Sequence, residues 1–120
     1  MLLPVSAPFH CSMLKGAGEK LARELEHVTV SDLQVPLITN VTGSYVGSKD
    51  EIKDLLIRQV SSSVLFEASL RRMLEDGVDT FIEIGPGKAL SGFVKKITRE
   101  AAVYNVEDMA SFEKLKEALA

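Results

Sequence analysis

The chain has 120 residues, of which 46% are hydrophobic and 26% charged, and its formal net charge is −3. This composition is typical of a globular protein, and the slightly acidic balance gives no electrostatic reason to expect nucleic acid or an anionic membrane as a partner. The single cysteine excludes a disulfide within the chain, and no apolar run approaches the roughly 20 residues that span a bilayer. We therefore expect one cytoplasmic domain.

The first half of the chain predicts a helix and a strand. Apolar residues at three- and four-residue spacing predict an amphipathic helix over 12–27, with Ser12 as its N-cap. The run VPLITNVTG at 35–43 is apolar, rich in β-branched residues and closed by a Thr-Gly turn. It predicts a strand.

Two further helices are predicted in the middle of the chain. Ser48, with Glu51 three residues later, forms a capping-box pattern that opens a helix over 48–60. The next apolar repeat predicts a helix over about 64–76 that ends at Gly77, because glycine is favoured just after a helix.

The last third alternates between strands and helices. Short apolar runs predict strands at 79–84 and 101–106, and helical repeats occupy 88–100 and 108–120, with Asp108 as the cap of the last helix. Such alternation indicates parallel strands joined by crossovers. Three strands make a narrow sheet, so we expect residues 1–120 to form a single α/β unit that is part of a larger α/β layer.

His10 is the first candidate for chemistry. It is one of two histidines and follows a loop that leads into a helix, a position from which a side chain can face a cleft and act as a general base. A histidine that is merely satisfied by hydrogen bonds is the alternative. His27, at a predicted helix end, complements the helix dipole.

Nucleophile and metal patterns are weak. Cys11 is adjacent to His10, but neighbouring side chains diverge in a strand or a helix, which argues against a thiolate mechanism. The chain has no G-x-S-x-G elbow, and Ser91 lies within a predicted helix. No metal-ligand spacing occurs, so we expect no metal site.

The stretch EIGPGKALSG has two interpretations. A strand, a glycine turn and a helix start can bind a phosphate through backbone amides, with Lys88 assisting. Alternatively, Gly85 and Gly87 only provide the backbone conformations of a tight turn.

PVSAPFHCSML, VPLITNVTG and FIEIGPGKALSGFVKKI, in this order, resemble the C-terminal portion of the malonyl-CoA:acyl-carrier-protein transacylase family. The resemblance extends over essentially the whole chain. It implies a partial three-layer α/β-hydrolase-like fold, the C-terminal part of a large subdomain, with about three mostly parallel strands and flanking helices. The family's serine elbow and its ferredoxin-like subdomain are absent from this sequence.

The resemblance also implies roles for three residues. His10 corresponds to the family's general base, and the backbone carbonyl of Gln59 corresponds to the group that orients it. Phe9, just before the histidine, corresponds to a position where phenylalanine accompanies malonyl and serine accompanies methylmalonyl. A phenylalanine that simply belongs to the core is the alternative for Phe9.

The implied reaction is transfer of malonyl from coenzyme A, through a serine ester, to the phosphopantetheine thiol of acyl carrier protein in fatty-acid or polyketide synthesis. No bound cofactor is implied. Since the serine is missing, we expect the isolated chain to be inactive and to need an N-terminal half of the same enzyme, or to self-associate. A non-enzymatic module that binds carrier protein through basic residues is the alternative; the candidates are Arg71, Arg72, Lys95, Lys96 and Arg99.

Overall fold

The computed structural model describes residues 9–120, so the first part of the PVSAPFHCSML motif lies outside the described residues. The chain divides into two compact units, of which the first ends at Ser69 and the second comprises Leu70–Ala120. The single α/β unit expected over 1–120 stays a prediction.

The first unit is built around two helices. A 3-10 turn at Ser12–Leu14 leads into α1 (Lys15–Glu26), and a second 3-10 turn at Lys49–Glu51 leads into α2 (Ile52–Gln59). The two helices pack against each other, and each buries a leucine. The amphipathic repeat of the sequence therefore identified α1.

Two details of the first unit differ from the sequence prediction. Ser12 is not an N-cap, because it lies inside the 3-10 turn. The N-cap position belongs to Cys11, whose side chain makes no cap hydrogen bond. The strand predicted at 35–43 is also wrong. The chain reverses where Gly43 N–H donates to Thr39 O at 3.0 Å, so only an isolated antiparallel bridge forms between Ile38 and Tyr45.

Ser48 caps its helix as predicted, although the bond goes to the 3-10 turn. Its hydroxyl oxygen accepts a hydrogen bond from Asp50 N–H at 3.2 Å, and α2 begins two residues later. The capping-box pattern thus located the start of this helical segment.

Helix α3 (Phe66–Glu75) spans the boundary between the units and ends in a glycine motif. Gly77 has φ +88°, its N–H donates to Leu74 O, and Val78 N–H donates to Met73 O. This pair of bonds is the Schellman arrangement, in which glycine takes the left-handed conformation. The helix end predicted at Gly77 is confirmed.

The second unit contains the sheet. Strands β1 (Thr80–Ile84) and β2 (Ala102–Val106) are parallel and in register from Thr80↔Ala102 to Ile84↔Val106. Helix α4 (Ala89–Ile97) connects them and packs on both strands, and α5 (Met109–Leu119) packs on β2. The α/β class is confirmed, with two strands in the described residues where three were predicted.

The core of the second unit is small and apolar, with one buried hydroxyl. Its buried side chains are Leu70, Ser91, Val94 and Leu115. Asp108 begins α5 as predicted, since its carboxylate accepts from Ser111 N–H at 2.7 Å and the Ser111 hydroxyl oxygen accepts from Asp108 N–H. Among the described helices, none has the length and apolar character that crossing a membrane requires.

Candidate functional site

His10 has an unusual backbone conformation. Its φ is +51°, and it is the sole non-glycine residue of 9–120 with a positive φ. The left-handed region costs a residue with a Cβ atom about 1–2 kcal/mol. Such conformations cluster at functional sites, where the surrounding structure holds them in place. The backbone therefore marks His10 as a residue held in a specific orientation.

The ring of His10 contacts the end of α2. Its Nδ1 lies 3.0 Å from the backbone oxygen of Gln59, the last residue of that helix. Carbonyls in the last turn of a helix lack intrahelical partners, so they are available to side chains. A carbonyl can only accept, which places the proton on Nδ1 and leaves Nε2 as an acceptor. The structure brings these two residues together; their catalytic roles stay predictions.

The surroundings of His10 are exposed and partly apolar. Phe9 is 65% exposed and Met13 78%, while Cys11 is half-buried. Phe9 is therefore not buried among residues 9–120, and the choice between a substrate-facing and a core side chain stays open. Two large, exposed apolar side chains thus flank the exposed His10 in the chain.

The glycine turn before α4 does not offer its amides to a phosphate. Gly85 and Gly87 have φ values of +136° and +89°, as a tight turn requires. The carboxylate of Glu83 accepts from Leu90 N–H at 3.2 Å and from Ser91 N–H at 2.8 Å. Glu83 thus accepts from two of the amides at the start of α4, and Gly85 and Gly87 have the backbone conformations that the tight-turn interpretation requires.

Glu83 belongs to a hydrogen-bond network that the sequence analysis missed. Asn105 Nδ2 donates to Glu83 Oε2 at 2.9 Å and to Ser91 Oγ at 2.6 Å. Hydrogen bonds from the Ser91 hydroxyl and backbone hold the pKa of the Glu83 carboxyl below its ordinary value. Ser91 is 3% exposed and fully engaged, so it is a structural residue. A carboxylate within the apolar strand FIEI was the signal that could have indicated this network.

A second carboxylate fixes the same turn. Gly87 N–H donates to Glu107 Oε2 at 3.1 Å, which joins the turn to the segment after β2.

In the described part of the chain, no group of three or more His, Cys, Asp or Glu side chains is arranged to hold a metal ion.

No protein-family model matches the chain. Curated relatives do match it: the malonyl CoA-acyl carrier protein transacylase of Bacillus subtilis is 45% identical over 111 residues, which cover 92% of this chain and 35% of that protein. The crystal structure of the Clostridium perfringens malonyl CoA-acyl carrier protein transacylase is 53% identical, with a TM-score of 0.90, and covers 99% of this chain and 38% of that one.

A third match is a structure of a type II polyketide-synthase acyl-carrier protein in complex with its malonyl-transacylase. It is 35% identical with a TM-score of 0.85, and it covers 97% of this chain and 38% of the matched chain. The chain therefore spans a little over a third of the length of the relatives it matches. Over nearly all of its residues, the chain agrees in sequence and fold with about a third of each of these malonyl CoA-acyl carrier protein transacylases.

Proposed function

We propose that this chain is the C-terminal portion of a malonyl-CoA:acyl-carrier-protein transacylase and that His10 is the general base of its acyl transfer. The observation that carries this proposal is the 3.0 Å contact between His10 Nδ1 and Gln59 O, made by a histidine in a left-handed backbone conformation. A backbone carbonyl in this position orients the ring without adding a full charge. His10 Nε2 is then the atom that takes a proton.

The reaction needs a serine from a part of the enzyme outside the matched third. His10 Nε2 takes the proton of that serine hydroxyl as its oxygen bonds to the thioester carbon of malonyl-CoA. The carbon–sulfur bond then breaks, and the coenzyme A thiolate recovers the proton from Nε2. In the second half, Nε2 takes the proton of the carrier-protein thiol, and the thiolate sulfur bonds to the ester carbon. The bond between that carbon and the serine oxygen breaks, and the serine oxygen takes the proton back from Nε2.

Phe9 is proposed to favour malonyl over methylmalonyl. Its ring is exposed and adjoins the base, so it can fill the space that an α-methyl group needs. Discrimination by one methyl group in an apolar site is about 1–3 kcal/mol, so the preference is expected to be modest.

The apolar surface of β1 is proposed to contact the rest of the enzyme. Ile82 and Ile84, at alternate positions of the strand, are 41% and 82% exposed. Parallel sheets are normally covered on both faces. The matched relatives have further chain that could provide such cover, since only 38% of the Clostridium perfringens protein is matched. Self-association through the same surface is the competing outcome when the chain is studied alone.

Acyl carrier protein is the proposed acyl acceptor. One of the matched structures is a complex of a malonyl-transacylase with its carrier protein. Helix α4 of this chain presents Lys95 and Lys96 on exposed positions, with the Lys96 ammonium 5.9 Å from the centre of the Phe93 ring. A module that binds carrier protein without catalysis would use the same residues, and titration of this chain alone with carrier protein tests that alternative.

Complementation tests the catalytic proposal. The chain is mixed with the remaining N-terminal part of the Bacillus subtilis relative, and malonyl transfer to carrier protein is measured. We expect transfer with the mixture, none with either piece, and a loss of at least about 100-fold with His10→Ala, since general-base catalysis contributes about 10²–10⁴-fold. Equal transfer by the mixtures with and without His10 would refute the assigned role.

A further inference from the structure

At Gly18, a side chain on α1 would meet the backbone of α2. Gly18 is buried, and a Cβ atom at this position would lie 3.3 Å from Ile57 O, 3.8 Å from Ile57 Cγ2 and 3.9 Å from Val60 Cβ. The contact with the carbonyl oxygen is tighter than most Cβ atoms make, so a side chain here requires its neighbour to give way. Gly16, in the same helix, has nothing within 4 Å of such an atom.

This contact lies on the same helical turn that presents the acceptor for His10. Ile57 and Val60 flank Gln59, whose carbonyl receives the His10 ring. His10 is connected to the start of α1 by the 3-10 turn. In this turn, Leu14 N–H donates to Cys11 O at 3.0 Å. The spacing of α1 and α2 at Gly18 therefore bears directly on the distance between Nδ1 and the Gln59 oxygen.

The hydrogen bond has little tolerance for a change in that spacing. Its length of 3.0 Å is typical of N–H···O bonds, which usually measure about 2.7–3.2 Å, and a longer bond is weaker. A side chain at position 18 would need the neighbouring carbonyl to move by a few tenths of an ångström. A displacement of that size is enough to weaken the bond between the ring and the carbonyl.

We propose that Gly18 is a positioning residue: it lets α1 lie against the last turn of α2 and so holds His10 in the Nδ1–H tautomer. Its importance for catalysis rests on the proposed function, but the link from Gly18 to the tautomer of His10 does not. The two can therefore fail separately.

The test compares Gly18→Val with Gly16→Val in the full 120-residue chain. Both positions lie in α1, and replacing glycine by valine changes the intrinsic helix propensity in the same direction at each. The tautomer of His10 is read from its ¹⁵N chemical shifts, with His27 as an internal reference. In Gly18→Val we expect the ratio of Nδ1–H to Nε2–H to fall about fivefold, which corresponds to losing a hydrogen bond of about 1 kcal/mol. Gly16→Val should leave the ratio unchanged.

An equal tautomer ratio in the two valine variants overturns the proposal. If Gly18→Val does not fold, Gly18→Ala and Gly16→Ala decide in the same way, with a smaller shift expected only at position 18. In the complemented enzyme, absence of transfer with every variant would contradict the proposed function alone. Transfer that is equally fast with Gly18→Val and Gly16→Val would contradict the positioning role.

Discussion

Replacing Gly43 by alanine should be one of the most destabilising single-methyl changes in the described part of the chain. Gly43 has φ +61°, and a Cβ atom there would lie 2.9 Å from Ala68 Cβ and 3.3 Å from both Leu65 Cβ and Leu65 O. The left-handed backbone contributes about 1–2 kcal/mol and the forced contact about 1–3 kcal/mol, so we expect a loss of about 2–5 kcal/mol in the free energy of unfolding.

Gly77 provides the matched control for this change. It also has a positive φ, +88°, but a Cβ atom there would meet nothing within 4 Å. Gly77→Ala should therefore show the backbone contribution alone, about 1–2 kcal/mol. The difference in unfolding free energy between the two variants isolates the contact between the NVTG turn and the start of α3. The same two segments are joined by a 2.8 Å hydrogen bond from Leu65 N–H to Asn40 O.

Urea denaturation followed by circular dichroism measures both changes. The slope of unfolding free energy against urea concentration must stay the same among the variants for the comparison to be valid. If Gly43→Ala is no more destabilising than Gly77→Ala, the turn is not seated on α3 as the structure describes, and the reasoning is refuted.

Three further predictions concern the core, the network and substrate choice. Leu70→Ala should lower the unfolding free energy by about 2–5 kcal/mol, because Leu70 is only 1% exposed. Leu119→Ala, at a position that is 57% exposed, should change it by less than about 0.5 kcal/mol. Equal effects of the two substitutions in urea titrations would contradict the described core. Because the pKa of Glu83 is lowered on folding, its carboxylate contributes stability above pH 4.5, its ordinary pKa, and this stability is lost as the pH falls. The thermal midpoint of Glu83→Gln should therefore depend less on pH in this acid range than that of the parent chain. Parallel profiles of midpoint against pH would count against this linkage. In the complemented enzyme, Phe9→Ser should raise kcat/KM for methylmalonyl-CoA relative to malonyl-CoA by about tenfold or more, and an unchanged ratio would remove Phe9 from the specificity argument.

Local sequence rules predicted much of the fold. Gly77 and Asp108 mark helix boundaries through their own backbone and side-chain chemistry, so each could be assigned from its immediate neighbours. The strands at 79–84 and 101–106 were predicted within a residue of their observed bounds. The run at 35–43 was not, since β-branched residues favour an extended chain but a strand also needs a partner with hydrogen bonds to offer.

The site depends on contacts between residues that are far apart in the sequence, which local sequence patterns do not predict. His10 and Gln59 are 49 positions apart, and only the family resemblance suggested that they meet. Glu83 receives its partners from residues 8 and 22 positions further along the chain, so the network appears only after β1, α4 and β2 have packed. The contact at Gly18 likewise depends on two helices. From the sequence alone, a glycine within a helix indicates only a lower helix propensity.

His10 is proposed to act on a nucleophile that lies in another part of the enzyme. Intact-mass spectrometry of the complemented mixture after incubation with malonyl-CoA tests this proposal most directly, because the two polypeptides are weighed separately. We expect a malonyl adduct on the complementing N-terminal polypeptide, lost or strongly slowed with His10→Ala, and no adduct on this chain. A stoichiometric adduct on this chain, with Cys11 the first residue to map, would contradict it.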